Sequence, residues 1–235
     1  KPFYACAAYN APHTPLQAPK SYVDQFTHVE DPVKRVHYAM IQCLDDEIGR
    51  LLEYLEDENL TKNTLVMLIS DNGGEEFNLT TQNGDYQGGK LTNFEGGVKV
   101  PMIMRWPSRI KPNQSFKNPV HSTDLFETSA EAIHAALPSD RVYDGANLVP
   151  HLNEGTVPQE YISCTMGQNQ VIRNTDCQLT WNEARKSQRD QDSTNVVSTK
   201  KVGKQNLGSS ENLPGKRKYK KSQFKRDNRG NIKAY

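Results

Sequence analysis

Lys90 stands in the run "NGDYQGGKLTNFEGGVKVP", Asn83 to Pro101, between two glycine pairs. A lysine on a glycine-rich loop offers a compact positive charge that an anion can approach closely. Gly84 to Lys90 spells G-x-x-x-x-G-K, nearly a phosphate loop. That loop needs Ser or Thr after the lysine to hold magnesium, and a helix opening there. Leu91 follows instead, and then a glycine pair and a proline, which is poor helix material. A nucleotide is therefore not the anion. Two further clusters carry chemistry. Asp71 and Asn72 place two hard oxygen donors side by side, suited to calcium or magnesium, though D-N-G-G is also strong turn chemistry. His13, between prolines, is either a loop histidine or a proton carrier.

The elements around these clusters have an α/β order. Residues 2–9 read as an apolar strand ending at the Asn10–Pro12 turn, with Cys6 among its core residues. Residues 33–58 read as a long amphipathic helix: Val36, Met40, Cys43, Leu44, Leu51, Leu52 and Leu55 recur at helical spacing. Asp31–Pro32 is its expected start. "NTLVMLIS" reads as a buried parallel strand and "VKVPMIMRWP" as another. "STDLFETSAEAIHAAL" reads as a second helix capped by Ser122 or Thr123. His13, Asp71 with Asn72, and Lys90 all follow or precede strands. In an open α/β sheet those positions meet at one edge, where ligands gather. A cation, a lysine and a histidine converging there would suit a tetrahedral oxyanion.

Charge divides the chain. Residues 1–184 hold 14 Lys/Arg and 24 Asp/Glu, a net of −10, and residues 185–235 hold 15 and 4, a net of +11. The basic end lacks hydrophobic period and reads either as a solvated flexible tail or as a polyanion-binding segment. The four cysteines, Cys6, Cys43, Cys164 and Cys177, have no C-x-x-C spacing, so a zinc site is not expected. Cys164 and Cys177 are close enough in sequence to pair in an exported protein. N-x-[ST] sequons occur at Asn59, Asn78 and Asn113. No run is long enough to span a membrane.

Five motifs then become recognisable in order: "AAYNAPHTPLQAP", "YAMIQCLDDEIGRLLEYLE", "NTLVMLISDNGG", "GGKLTNFEGGVKVPMIMRWP" and "YDGANLVPHL". Over residues 1–155 the chain resembles the C-terminal portion of type I sulfatases. It is most similar to arylsulfatase B-like and bacterial polysaccharide sulfatases, through "HTPLQAP". The resemblance implies an alkaline-phosphatase-like fold, a mostly parallel sheet flanked by helices with a small C-terminal antiparallel subdomain. It divides the chain into a partial α/β domain at 1–155, subdomain strands at 156–184 and the basic tail at 185–235. It implies sulfuric ester hydrolysis of an aryl sulfate or sulfated carbohydrate in a secreted, periplasmic or lysosomal setting. Nucleic acid is not an expected partner.

By the same resemblance Asp71 and Asn72 match ligands of one calcium ion, with the other ligands upstream. Lys90 matches the lysine on the sulfate and its bridging oxygen, and His13 the histidine that binds sulfate and protonates the leaving alcohol. Glu95, Gly96 and Gly97 match a signature that shapes the lysine loop. The family nucleophile is a formylglycine made in a C/S-x-P-x-R motif, and no such motif occurs in these 235 residues. This chain alone is expected to be inactive, its true N-terminus and nucleophile lying upstream. The alternatives are a non-catalytic, sulfated-glycan-binding relative and a phosphodiesterase of the same superfamily.

Overall fold

The computed structural model describes residues 2–76, 81–166, 169–174, 178–182, 197–199, 224–226 and 232–234. A short helix α1 (Lys20–Val23) and a 3-10 turn (Asp24–Phe26) lead into α2 (Pro32–Asp57), the longest element. The start of α2 follows from its sequence. Pro32 takes the first helical position, and Asp31 accepts hydrogen bonds from the Val33 and Lys34 amides at 2.8 and 3.3 Å. Its end is a Schellman turn. Asn59 adopts φ 56°, and the Leu60 amide reaches back to the Leu55 carbonyl at 2.8 Å. His37, Ala39, Met40 and Leu55 form its buried positions. The preceding segment folds onto it, with the Tyr22 hydroxyl donating to Asp46 and the Phe26 ring edge-on to Tyr38. That carboxylate pushes the Tyr22 hydroxyl up to about 12.

β1 (Val66–Ile69) and β2 (Met102–Arg105) pair antiparallel, Leu68 opposite Ile103. Between them lies the site loop and a single helical turn, α3 (Glu95–Val98). α4 (Asp124–Ala132) and α5 (Leu148–Glu154) pack together around Leu148, Thr128 and Asp124, all fully buried. Asp124 is the tie. Its carboxylate accepts from the amides of His121 and Ala146 and from the Gln159 side chain, at 2.7, 2.9 and 2.6 Å. β3 (Ile162–Met166), β4 (Asn169–Arg173), β5 (Gln178–Asn182) and β6 (Val197–Thr199) form an antiparallel sheet in chain order, and β7 (Phe224–Arg226) and β8 (Ile232–Ala234) a separate hairpin.

Three local expectations change. Residues 2–9 form no strand ladder and are exposed, Cys6 included. Apolar composition permits a strand, but a strand requires a paired neighbour, and no described residue supplies one. All ladders among the described strands are antiparallel, so β1 meets no parallel neighbour there. The second helix starts after Thr123 as expected, though without a side-chain cap bond, and ends early because the chain turns left-handed at His134, φ 53°. The Ala135 amide then bonds to the Ala130 carbonyl at 2.9 Å, closing the helix as α2 is closed. Cys177 and nearly all of the basic tail at 185–235 lie outside the described residues.

Candidate functional site

Three backbone segments rich in glycine meet between β1 and β2. Ser70 follows β1, its amide bonded to the Pro101 carbonyl at 3.2 Å. Asp71 then turns the chain, its carboxylate accepting from the Asn72 amide at 2.8 Å. That bond reaches the next amide and not the one two residues on, so it is not an Asx turn, and it leaves the second carboxylate oxygen for another partner. The Gly73 amide bonds to the Gly97 carbonyl at 2.9 Å, and the Lys90 amide to the Gly74 carbonyl at 3.0 Å. The Gly96 amide bonds to the Gln87 carbonyl at 2.9 Å. These contacts need bare backbone. A Cβ on Gly73 would sit 1.6 Å from the Gly96 carbonyl oxygen, and one on Gly96 would sit 1.7 Å from that of Gly88. The glycine pairs thus pack the lysine loop against the Asp71–Asn72 turn and α3.

Lys90 projects from this seam to His13, 77 positions away: Nζ lies 2.7 Å from Nε2. The other ring nitrogen, Nδ1, lies 2.7 Å from the Thr14 carbonyl oxygen. A carbonyl only accepts, so Nδ1 carries the proton and Nε2 accepts from the Lys90 ammonium. The Asn10 carbonyl, bonded to the His13 amide at 2.8 Å, fixes the loop that carries the ring.

Asp71, Asn72 and Lys90 line one cleft of about 1200 Å³; His13 stands beside it through Lys90. The wall also carries Lys99, Arg105, Lys111, Lys117 and Arg173, with Asp71 as its one carboxylate among the described residues. Arg173 of β4 pairs with Glu95 of α3 at 3.1 Å, joining the C-terminal sheet to the lysine loop. Opposite, His121 Nε2 lies 3.6 Å from the Cys164 thiol. Burial pushes that thiol above its ordinary range, and the Arg173 charge opposes the shift. Spacing did not reveal the Glu95–Arg173 and His121–Cys164 pairs, since each joins residues far apart in the chain.

Asp71 and Asn72 supply hard oxygens of the type calcium takes, but calcium needs six to eight ligands. Among the described residues no group of three His, Cys, Asp or Glu side chains gathers to hold a metal. The donor chemistry of these two residues fits a hard cation in kind. Among the described residues no helix is long and apolar enough to cross a membrane.

The sulfatase family model matches residues 1–135. Human N-acetylgalactosamine-6-sulfatase is 35% identical over 159 residues, 66% of this chain and 29% of that protein. Human steryl-sulfatase is 33% identical over 158 residues, 64% of this chain and 26% of that protein. This chain therefore spans under a third of the length of either relative. A solved structure of Ps i-CgsB in complex with k-i-k-neocarrahexaose superposes with a TM-score of 0.69 at 30% identity, covering 73% of this chain and 39% of that one. The likeness gives the chain an alkaline-phosphatase-like fold.

Proposed function

The chain belongs to the sulfatase family, and from that premise we propose that the protein containing it hydrolyses sulfate esters, with His13 and Lys90 at the bridging oxygen. The observation that carries the proposal is the 2.7 Å contact between Lys90 Nζ and His13 Nε2 at the mouth of a cationic cleft. The ammonium offsets charge that grows on the sulfuryl and bridging oxygens as the ester bond breaks. His13 Nε2, an acceptor in this state, takes up a proton from the medium before the reaction and gives it to the departing alkoxide, leaving the ring neutral again. Asp71 and Asn72 hold calcium together with ligands from outside these 235 residues. When bound, calcium would supply Lewis-acid polarisation of the sulfuryl oxygens. The nucleophile comes from the same outside portion, because no C/S-x-P-x-R segment occurs here.

The substrate in this proposal is a sulfated carbohydrate. The cationic wall favours an anionic ligand, and a similar solved structure holds a neocarrahexaose. Residues 1–155 form part of the catalytic α/β domain, with β1 in a mostly parallel sheet completed by strands from elsewhere in the protein. Residues 156–184 provide the antiparallel subdomain strands, and β6 of the basic 185–235 segment joins their sheet. The setting is secreted, periplasmic or lysosomal, in keeping with the three sequons.

The test is steady-state kinetics of the full-length protein on an aryl sulfate and a sulfated oligosaccharide. Lys90→Ala should lower kcat by about 10²–10³-fold, the size of a lost oxyanion donor. Lys90→Arg should recover little, since a planar fork does not replace a point charge on a tight loop. A rise in KM alone would make Lys90 a uniform binder and refute its part in catalysis. No sulfate release from either substrate by the calcium-loaded wild type would refute the activity.

A further inference from the structure

Asn83 sits in an Asn-Gly pair that reads as an ordinary turn signal, yet its side chain is half-buried and faces inward. Its Oδ1 accepts from the Gly74 amide at 2.9 Å. The two hydrogens of its Nδ2 are shared among the Gly74 carbonyl at 3.1 Å, the Gly88 carbonyl at 3.1 Å and the Glu76 carboxylate at 3.3 Å. The carboxamide therefore satisfies both backbone groups of Gly74, as a neighbouring strand would, and ties them to Gly88. The Gly74 carbonyl is also the acceptor of the Lys90 amide. Contact is tight: a Cβ on Gly89 would lie 2.9 Å from Asn83 Nδ2.

We propose that Asn83 is a positioning residue, whose carboxamide locks the Asp71–Gly74 turn to the Lys90 loop and so sets where the Lys90 ammonium stands. It touches neither the cleft nor, on this geometry, the substrate; it acts through Gly74, Gly88 and Lys90. The inference rests on the sulfatase reading for the consequence, but the clamp is testable without it. Backbone hydrogen bonds alone leave the loop one tie at each end, from Lys90 to Gly74 and from Gln87 to Gly96. Asn83 adds the cross-tie between them. Losing it frees the segment 84–90 to shift by a fraction of an ångström, and misplacement near 1 Å is enough to cost about 10²-fold in rate.

The experiment compares the full-length wild type with Asn83→Ala and Asn83→Asp. Kinetics on an aryl sulfate, thermal unfolding, and amide hydrogen exchange at Gly74 and Lys90 are measured together. Asn83→Ala should lower kcat by about 10–10²-fold, with KM changed less. Exchange at Gly74 and Lys90 should quicken by at least about tenfold, while amides of α2 exchange as before. Asn83→Asp keeps the acceptor for the Gly74 amide but points a carboxylate at two carbonyls, so near neutral pH it should lose as much activity as the alanine variant. Protonation restores a donor, so its activity relative to wild type should rise as the pH falls toward the carboxyl range near 4. Wild-type kcat and unchanged Gly74 and Lys90 exchange in Asn83→Ala would overturn the proposal. So would exchange that quickens equally throughout the protein, which marks a general loss of stability. If the alanine variant does not fold, the pH profile and exchange of Asn83→Asp decide: a flat relative profile with unaltered exchange overturns it. An inactive wild type would refute the sulfatase reading instead, and the exchange rates would still decide the clamp.

Discussion

Replacing Gly96 by alanine would place a methyl carbon 1.7 Å from the Gly88 carbonyl oxygen and 2.8 Å from that of Gln87. Ordinary contact begins at 3.4 Å, so the two segments must part by about 1.7 Å. Both obstacles are backbone, so no side-chain rotation relieves the clash. Shared evenly, the movement carries the Gly88–Lys90 segment by about 0.8 Å, close to the misplacement that costs about 10²-fold in rate. The Gly96 amide also loses its 2.9 Å bond to Gln87. Together with the overpacking, this should cost about 2–4 kcal/mol of stability. Gly49→Ala is the control, because a Cβ there meets nothing within 4 Å and lies on helix α2. It should stabilise the protein by about 0.5–1 kcal/mol and leave activity alone. Urea unfolding and aryl sulfate kinetics on the full-length variants provide both readouts. If Gly96→Ala matches Gly49→Ala in rate and stability, backbone contact across the seam does not place Lys90.

Three further outcomes concern residues away from the lysine loop. Asp124→Ala strips the acceptor from the His121 and Ala146 amides in a fully buried place; urea unfolding should show a loss of about 3–5 kcal/mol, and a loss below about 1 kcal/mol would contradict the tie. Burial holds the His37 ring below the usual 6.5. The unfolded chain then binds that proton first, so stability present above pH 6.5 is lost as the pH falls below it. Thermal unfolding at several pH values should show a weaker acid slope in His37→Gln, and an equal slope would rule the residue out. Iodoacetamide at mildly alkaline pH should label the exposed Cys6 at least about tenfold faster than Cys164, whose thiol burial has pushed up; equal labelling in a mass map would show Cys164 open to solvent.

How legible each element was depends on where its forces come from. α2 could be read residue by residue, since its apolar stripe, its Asp31 cap and the proline after it are local. The early end of α4 could not, because the left-handed residue that closes it is a histidine, where a glycine would have signalled the stop. Residues 2–9 have the composition of a strand, but pairing is a long-range property that no composition guarantees. The glycine pairs pointed to close backbone approach, yet which backbones approach is decided across the fold. The meeting of His13 and Lys90 was expected from their places beside strands of one sheet edge, a topological argument, since nothing in a separation of 77 residues implies it. Asn83 was hidden by its own neighbour: Asn-Gly advertises a turn, and the turn reading says nothing about where the carboxamide goes.

The net charge of −10 over residues 1–184 would argue against an anionic substrate if charge were spread evenly. It is not. α2 alone carries Asp45, Asp46, Glu47, Glu53, Glu56 and Asp57, against Lys34, Arg35 and Arg50. The cleft wall reverses that balance, with Lys90, Lys99, Arg105, Lys111, Lys117 and Arg173 against Asp71. Screening at physiological salt confines the influence of exposed charges to about 8 Å, so α2 does not cancel a cation it does not touch. Of the six cations, Arg173 is committed to Glu95, and Lys99 lies over the Tyr86 ring at 4.1 Å. Lys90 stands apart in kind, because its described polar partner is a neutral histidine nitrogen. An incoming sulfate oxygen can replace that partner without breaking an ion pair. A lysine neutralised by a carboxylate would have to lose that partner first, and the lost attraction would offset the charge stabilisation it could give the departing ester oxygen.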